Sequence, residues 1–246
     1  MSTNSEAPKG FTDQEKIDLF MADMKKSGLQ QEILNANGVK IFTGTPEGLA
    51  AMINIETSFA THLCLNHVIV IFPYPVQEKK NQSCRVKLIP AYTCADGSQI
   101  KYMQPKGVPT RPYIIDSVWN TRKVPSIDLF IVEGEKKALL LNQEGFPTIA
   151  LPGVYNFRNT GESQAEKIDL SEDLRAFTWT GRNVYIAFDA DFRTNKQVRQ
   201  AMFELTFRLE KHGAQVKITT WDPRDGKGID DLIVGKIDKQ ETSHDK

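Results

Sequence analysis
Three short apolar runs in this chain end in carboxylates. Leu129–Val132 leads into Glu133-Gly134-Glu135, Val184–Phe188 into Asp189-Ala190-Asp191, and Val216–Trp221 into Asp222. The last run is followed by Asp225-Gly226-Lys227-Gly228-Ile229-Asp230-Asp231. If the runs are strands of a parallel α/β sheet, their C-terminal ends share one edge, where such sheets bind ligands. Carboxylates gathered there repel one another unless a cation sits among them, and an all-oxygen donor set suits Mg²⁺ or Mn²⁺. In an extended backbone alternate residues face the same way, so Asp189 and Asp191 can address one ion. Glu133 shares that ion or serves as a general acid or base. A lone DxD is ordinarily a helix cap, but three acidic strand ends in one βα pattern favour a metal site.

Other groups surround these in the sequence. Lys227 lies between glycines, so its backbone can approach a phosphate closely. Asp230 and Asp231 open a helix, where their charge suits the dipole. Asp230 is assigned to the site, whereas Asp231 fits the site and plain capping equally. Lys136 and Lys137 follow Glu133 on a first helical turn, which favours anions. Lys136 is assigned to a phosphate, and Lys137 fits a solvated helix face. Arg85, Lys87, Lys101, Lys106 and Arg111 form the most basic stretch, interleaved with Tyr92, Tyr102 and Tyr113. Such a mixture can contact phosphates and stack on unpaired bases, although scattered surface charge explains it equally well. His62, His67, His212 and His244 form no ligand spacing.

Composition narrows the function classes. The chain has 246 residues, 40% hydrophobic and 25% charged, enough to build a stable core in one large domain or two small ones. Its 31 basic and 31 acidic residues cancel, which excludes a strong global field and leaves only local basic patches for nucleic acid. Cys64, Cys84 and Cys94 contain no CxxC, against a zinc site or a disulfide framework, and fit free thiols in a reducing cytosol. No apolar run reaches the roughly 18 residues of a membrane span. The polar start, Met1–Gly10, lacks a signal-peptide core. A cytoplasmic protein without membrane contact is expected.

The elements that must position these groups can be read in order. Residues 1–10 read as a disordered tail. Residues 11–66 read as a helical module. It has a helix from Thr12 or Asp13 to Lys26 with Ile17, Leu19, Phe20 and Met24 on its apolar face, a short helix from Gln30 to Asn37, and a third opened by Thr45-Pro46. Residues 67–126 read as a small, basic, mostly antiparallel α+β subdomain. Its strands are Val68–Phe72, Cys84–Ile89 with Arg85 and Lys87 on one face, and Ile100–Met103. Residues 127–235 read as α/β. Strands fall at Leu129–Val132, Thr148–Leu151, Val184–Phe188 and Val216–Thr220. Helices run from Lys136 to Gln143, Glu172 to Phe177, Asn195 to His212 and Ile229 to Val234, with a loop at Asn156–Glu166. Residues 236–246 read as a charged, frayed tail.

Taken as a set, Glu133-Gly134, Asp189-Ala190-Asp191 and the closing Lys227-Gly228-Ile229-Asp230 resemble a toprim domain, the metal-binding fold of DnaG-type primases, topoisomerases and some nucleases. The preceding stretch is similar in order to the segment before toprim in DnaG-type primases: Val70-Ile71-Phe72-Pro73-Tyr74, Arg85-Val86-Lys87, Lys101-Tyr102-Met103-Gln104-Pro105, then Pro112-Tyr113. Ser27–Ile33 and Gly134-Glu135-Lys136-Lys137-Ala138 look like the primase-like toprim proteins of phages, plasmids and other mobile elements. The resemblance runs from Gln14 to Val234. It implies a toprim, Rossmann-like parallel sheet preceded by the small α+β subdomain and the helical module. It implies that Glu133, Asp189 and Asp191 are catalytic and hold Mg²⁺ (or Mn²⁺), with Asp230 as a further ligand. Arg85, Lys87 and Lys101 would face template or nucleotide. The implied activity is nucleotidyl transfer on single-stranded DNA in replication of a mobile element. Nucleotides are the other substrate, and a replicative helicase on a separate chain is the expected partner, since no helicase motif and no long C-terminal helical extension is read here, while the lack of a zinc-binding domain removes that route to template-sequence recognition. A toprim nuclease and a non-catalytic DNA-binding or helicase-loading module remain as alternatives. A topoisomerase does not, because no tyrosine-bearing cleavage domain of sufficient size is present.

Overall fold
The computed structural model describes residues 10–75, 83–158 and 169–244, with Asp191 and residues 237–244 described by backbone alone. Most of the expected N-terminal tail and most of the loop at Asn156–Glu166 lie outside the described residues. The chain divides into two units.

The first unit takes the chain up to Lys26 and resumes from Leu34 to Val108. Its helices are α1 (Asp13–Lys26), the end of α2 (Gln31–Ala36), α3 (Pro46–Ile53) and α4 (Thr57–Asn66). Strands β1 (Lys40–Ile41), β2 (Val68–Tyr74), β3 (Ser83–Thr93) and β4 (Gln99–Met103) form an antiparallel sheet in that order. β2 lies inside the sheet and is buried on both faces, which is why Val68–Phe72 is an unbroken apolar run. On one face Ile69, Ile71, Val86 and Leu88 pack with Leu49, Ala50 and Ile53 of α3 and Ala60 and Leu63 of α4. Thr45 caps α3 by accepting the Gly48 N–H at 3.2 Å, with Pro46 at the first helical position, as the sequence predicts. α1 lies against β2 and buries Phe20 and Met24, while Ile17, expected on the same apolar face, is 48% exposed. The front helices and the antiparallel sheet are therefore one unit rather than a module at 11–66 and a separate subdomain. The reason is cover: a sheet with an apolar face must bury it against another layer, and α3 and α4 are that layer.

The second unit comprises Ser27–Ile33 and the chain from Pro109 onward. Strands β5 (Leu129–Glu133), β6 (Thr148–Leu151), β7 (Asn183–Ala187) and β8 (Gln215–Ile218) form a parallel sheet in the order β6-β5-β7-β8. The short helix α5 (Asp116–Trp119) precedes β5. Helix α6 (Glu135–Gln143) connects β5 to β6, α7 (Glu172–Arg175) precedes β7, and α8 (Lys196–Lys211) connects β7 to β8. α8 buries Val198, Ala201, Met202, Leu205 and Leu209, a helical stripe legible in the sequence. Residues 109–126 belong here and not to the antiparallel sheet, because Tyr113 exchanges backbone hydrogen bonds with Ala150 at 2.8 and 3.0 Å. The last helix, α9, runs from Ile229 to His244, so the expected frayed tail continues the helix instead. Residues 27–33 are tied in by Gln143, whose Oε1 accepts the Gln30 N–H at 2.8 Å and whose Nε2 donates to the Gly28 carbonyl at 3.0 Å.

Candidate functional site
β5 and β7 are neighbours, with Val132 paired beside Ala187. Glu133 at the end of β5 and Asp189 just beyond β7 therefore stand at the same C-terminal edge, as the acidic strand ends predict. Beyond Asp189 the backbone tightens into a 3₁₀ turn at Ala190–Arg193. The extended DxD expected from the sequence does not form, and with it goes the argument that Asp189 and Asp191 share a face, which holds only in a strand. The side chain of Asp191 lies outside the described residues, so its candidacy rests on position alone.

Lys137 is the residue that the sequence reading missed. It is not on a solvated face. Its Nζ donates to Asp189 Oδ1, and the two side chains are only 17% and 14% exposed. Burial works against the ammonium, but Asp189, Asp230 and Glu133 outweigh it and hold the Lys137 pKa above the ordinary lysine value. Leu141, four residues on and 2% exposed, puts Lys137 at the edge of the inward face of α6. Glu135 on the same turn is fully buried, and burial together with the Glu135 charge pushes the Tyr113 hydroxyl above its usual range. Lys136 is half-buried on that turn.

The closing loop brings Asp230 to the same place. Gly228 is buried, and a Cβ there would stand 2.2 Å from Asp230 Oδ1, 2.5 Å from Lys137 Cε and 3.1 Å from Lys137 Nζ. Only glycine lets the carboxylate and the lysine stem pass this close. Burial pushes the Asp230 carboxyl up, Lys137 opposes this, and Asp231 and Asp189 add to it. Asp231 has a different task. Its Oδ2 accepts the N–H groups of Lys227 and Gly228 at 3.0 and 2.9 Å, which fixes the loop. Gly226, at φ 145°, has no room for a Cβ, which would lie 2.4 Å from Asp231 Cβ. The Lys227 carbonyl accepts the Ala190 N–H at 2.8 Å, joining this loop to the turn after β7. The Lys227 side chain is 68% exposed and its ammonium lies 3.8 Å from Asp189 Oδ2.

The predicted basic residues of the first unit are not equivalent. Lys87 is buried and donates to Asp23 of α1, so its charge is committed inside the unit. Arg85 lies over the Tyr102 ring, 4.7 Å from its centroid. Lys101 is exposed, and strand alternation puts it on the other face from Tyr102, hence from Arg85 and Lys87. Arg111, in the second unit, makes a bidentate pair with Asp173 at 2.9 Å.

Donor chemistry tests whether the acidic residues suit a divalent cation. Glu133, Asp189 and Asp230 are hard oxygen donors, the kind that Mg²⁺ and Mn²⁺ prefer, and all three already act on one positive group. Among the described residues, no group of three or more His, Cys, Asp or Glu side chains stands arranged to hold a metal ion. The donors fit a cation in kind, while their present arrangement is built on the Lys137 ammonium.

Comparison with known proteins adds the wider context. Residues 118–240 match a family described as a domain of unknown function (DUF3854). An uncharacterized protein of Picosynechococcus sp. is 38% identical over 117 residues, which are 45% of this chain and 12% of that protein. The chain thus spans a small fraction of the curated relative it matches. Among solved structures, the zinc-binding and RNA polymerase domains of the Aquifex aeolicus primase superpose with a TM-score of 0.55 at 14% identity, covering 91% of this chain and 54% of that one. The DnaG primase catalytic domain bound to single-stranded DNA gives 0.56 at 15%, covering 94% and 72%. The Escherichia coli primase catalytic core gives 0.55 at 16%, covering 89% and 69%. These likenesses establish a shared fold with primase catalytic cores. No helix among the described residues is long and apolar enough to cross a membrane.

Proposed function
This chain belongs to the DUF3854 family, and we propose that it is a primase-like nucleotidyltransferase core, dependent on Mg²⁺ or Mn²⁺ and acting on single-stranded DNA. In this reading residues 127–235 are a toprim domain, and the chain serves replication of a mobile element beside a replicative helicase on a separate chain. The observation that carries the reading is the placing of Glu133 and Asp189 at adjacent strand ends on the C-terminal edge of a parallel sheet, where Lys137 holds Asp189 and Asp230 closes on the same lysine beside Gly228, in a fold shared with primase catalytic cores. One of those cores is described as bound to single-stranded DNA, which supports a single-stranded template here.

Glu133, Asp189 and Asp230 would hold the cation, with Asp191 added by its position in the sequence. A divalent ion there supplies charge neutralisation at the phosphate and a more acidic primer 3′-hydroxyl. The 3′-hydroxyl would give up its proton to water, its oxygen would bond to the α-phosphorus of the incoming nucleotide, the bond from that phosphorus to the β-phosphate oxygen would break, and pyrophosphate would leave. Lys136, on the first turn of α6, would hold a phosphate oxygen where the helix N-terminus already favours negative charge. The exposed Lys227 would meet the charge of the incoming triphosphate. Arg85 would contact the template, Lys101 lies on the opposite face of the sheet and would not share that surface, and Lys87 would brace β3 through Asp23.

The test is primer synthesis by the full chain on single-stranded DNA with ribo- or deoxynucleotides and Mg²⁺. The expected outcome is a Mg²⁺-dependent product that falls by about 10²-fold or more in Asp189→Asn and Glu133→Gln variants with unchanged circular dichroism. No product from folded wild-type protein at high concentration would overturn the proposal. Degradation of labelled DNA without added nucleotides would assign the same carboxylates to hydrolysis, which needs no nucleotide site.

A further inference from the structure
We propose that Lys137 is the built-in counter-cation of the carboxylate site, and that a divalent ion enters by displacing its ammonium from Asp189. The inference rests on the metal-dependent reading above and concerns how that site is filled. Three observations lead to it. Lys137 Nζ donates to Asp189 Oδ1, and both side chains are largely withdrawn from solvent. Asp230 and Glu133 act on the same ammonium. Asp230 Oδ1 and the end of the Lys137 side chain converge on the space left by the missing Cβ of Gly228.

Asp189 Oδ1 already accepts from an ammonium, and a dication bound to that oxygen would stand beside a like charge in a part-buried place, where repulsion is weakly screened. One cation must leave when the other arrives. Lysine suits this exchange, because its charge sits on a flexible four-carbon stem that can swing aside without moving the helix. Lys227 is not the competitor: its ammonium lies 3.8 Å from Asp189 on a side chain that is 68% exposed, so water screens it. In the metal-free protein Lys137 thus keeps the carboxylates from repelling one another, and the same contact weakens the site for a free ion.

Mn²⁺ is the probe, titrated into the full chain and followed by the electron paramagnetic resonance of free Mn²⁺. Lys137→Ala and Lys137→Met, the second keeping the apolar stem, are expected to bind Mn²⁺ at least tenfold more tightly than wild type. Both are also expected to melt at a lower temperature in chelator and to regain the loss with Mn²⁺. A second measurement uses the wild type alone. An amine-acylating reagent, read by peptide mass spectrometry, is expected to modify Lys137 slowly in chelator and faster at saturating Mn²⁺. Equal Mn²⁺ affinity in wild type and variants would overturn the displacement and leave the metal reading standing. No Mn²⁺ binding by any of them would overturn both. If neither variant folds, acylation decides, and unchanged protection of Lys137 at saturating Mn²⁺ overturns the proposal.

Discussion
Asp189 meets two ammonium groups, Lys137 at one oxygen and Lys227 near the other, and the glycine that closes the site decides how near Lys137 and Asp230 can come. Gly228→Ala would place a methyl 2.2 Å from Asp230 Oδ1 and 2.5 Å from Lys137 Cε, so at least one of them must move. The expected cost is about 1–3 kcal/mol, the range for forcing an extra methyl into packed surroundings. Gly235→Ala is the control. It lies inside α9 with nothing within 4 Å of a Cβ, and alanine there is expected to stabilise by up to about 1 kcal/mol through helix propensity. Thermal melts of the two variants in chelator check this. A melting temperature for Gly228→Ala at or above wild type would mean that the close approach of Asp230 and Lys137 does not constrain the site. The strand-end places of Glu133 and Asp189 were legible at this scale because acidic residues after apolar runs mark strand ends. Lys137 was not, since a lysine on a first helical turn reads as solvated until the helix is seen to turn that edge inward.

Element by element, β5 to β8 were legible as short apolar runs and α8 as a helical stripe. The departures have local causes. The strand before Asp189 ends at Ala187 and the chain turns at once into a 3₁₀ segment, which no pattern in Asp189-Ala190-Asp191 announces. β1 is too short for a period. α4 presents only Ala60 and Leu63 as buried residues and so carries little stripe. α8 holds more than a core face. Its Glu204 accepts from Arg158 and Arg208, Arg208 also donates to the Asp169 carbonyl, and the Asp169 carboxylate pairs with His212 at 2.7 Å. Burial works against the charged Glu204, but Arg158 and Arg208 outweigh it and hold its pKa below the ordinary glutamate value. Asp169 is likewise held low, burial being outweighed chiefly by the His212 and Leu170 hydrogen bonds. A carboxylate with a depressed folded-state pKa stabilises above its unfolded-state value and loses that contribution as pH falls through the folded one. The urea midpoint is therefore expected to drop below the ordinary carboxylate range, and Glu204→Gln should lower it at neutral pH while flattening part of the acid drop. Parallel midpoint–pH curves for variant and wild type would remove Glu204 from that role.

At the scale of the whole chain, the division into units was the least legible feature, because it does not follow sequence order. Leu34–Val108 belongs with α1, whereas Ser27–Ile33 crosses to the parallel-sheet unit. Four of these seven residues lie between α1 and α2 and three open α2, and nothing in Ser27-Gly28-Leu29-Gln30 announces a distant partner. The partner is α6: Gln143 holds Gln30 and Gly28 by hydrogen bonds, and a Cβ on Gly28 would lie 2.8 Å from Val234 Cγ2 and 3.2 Å from Leu140 Cδ1. Leu29, only 7% exposed, is the apolar residue at the centre of this crossing. The segment thus packs on the same helix whose first turn carries Lys136 and Lys137. Leu29→Ala is expected to cost about 2–4 kcal/mol, the range for removing a buried leucine side chain. The chain contains its own reporter for the affected unit, since Trp119, Trp179 and Trp221 all lie in it. Urea unfolding followed by tryptophan emission should shift to a lower midpoint in Leu29→Ala, with little change in slope because the surface exposed on unfolding is nearly the same. A tryptophan-reported midpoint equal to wild type would show that residues 27–33 do not stabilise the unit that holds the candidate site.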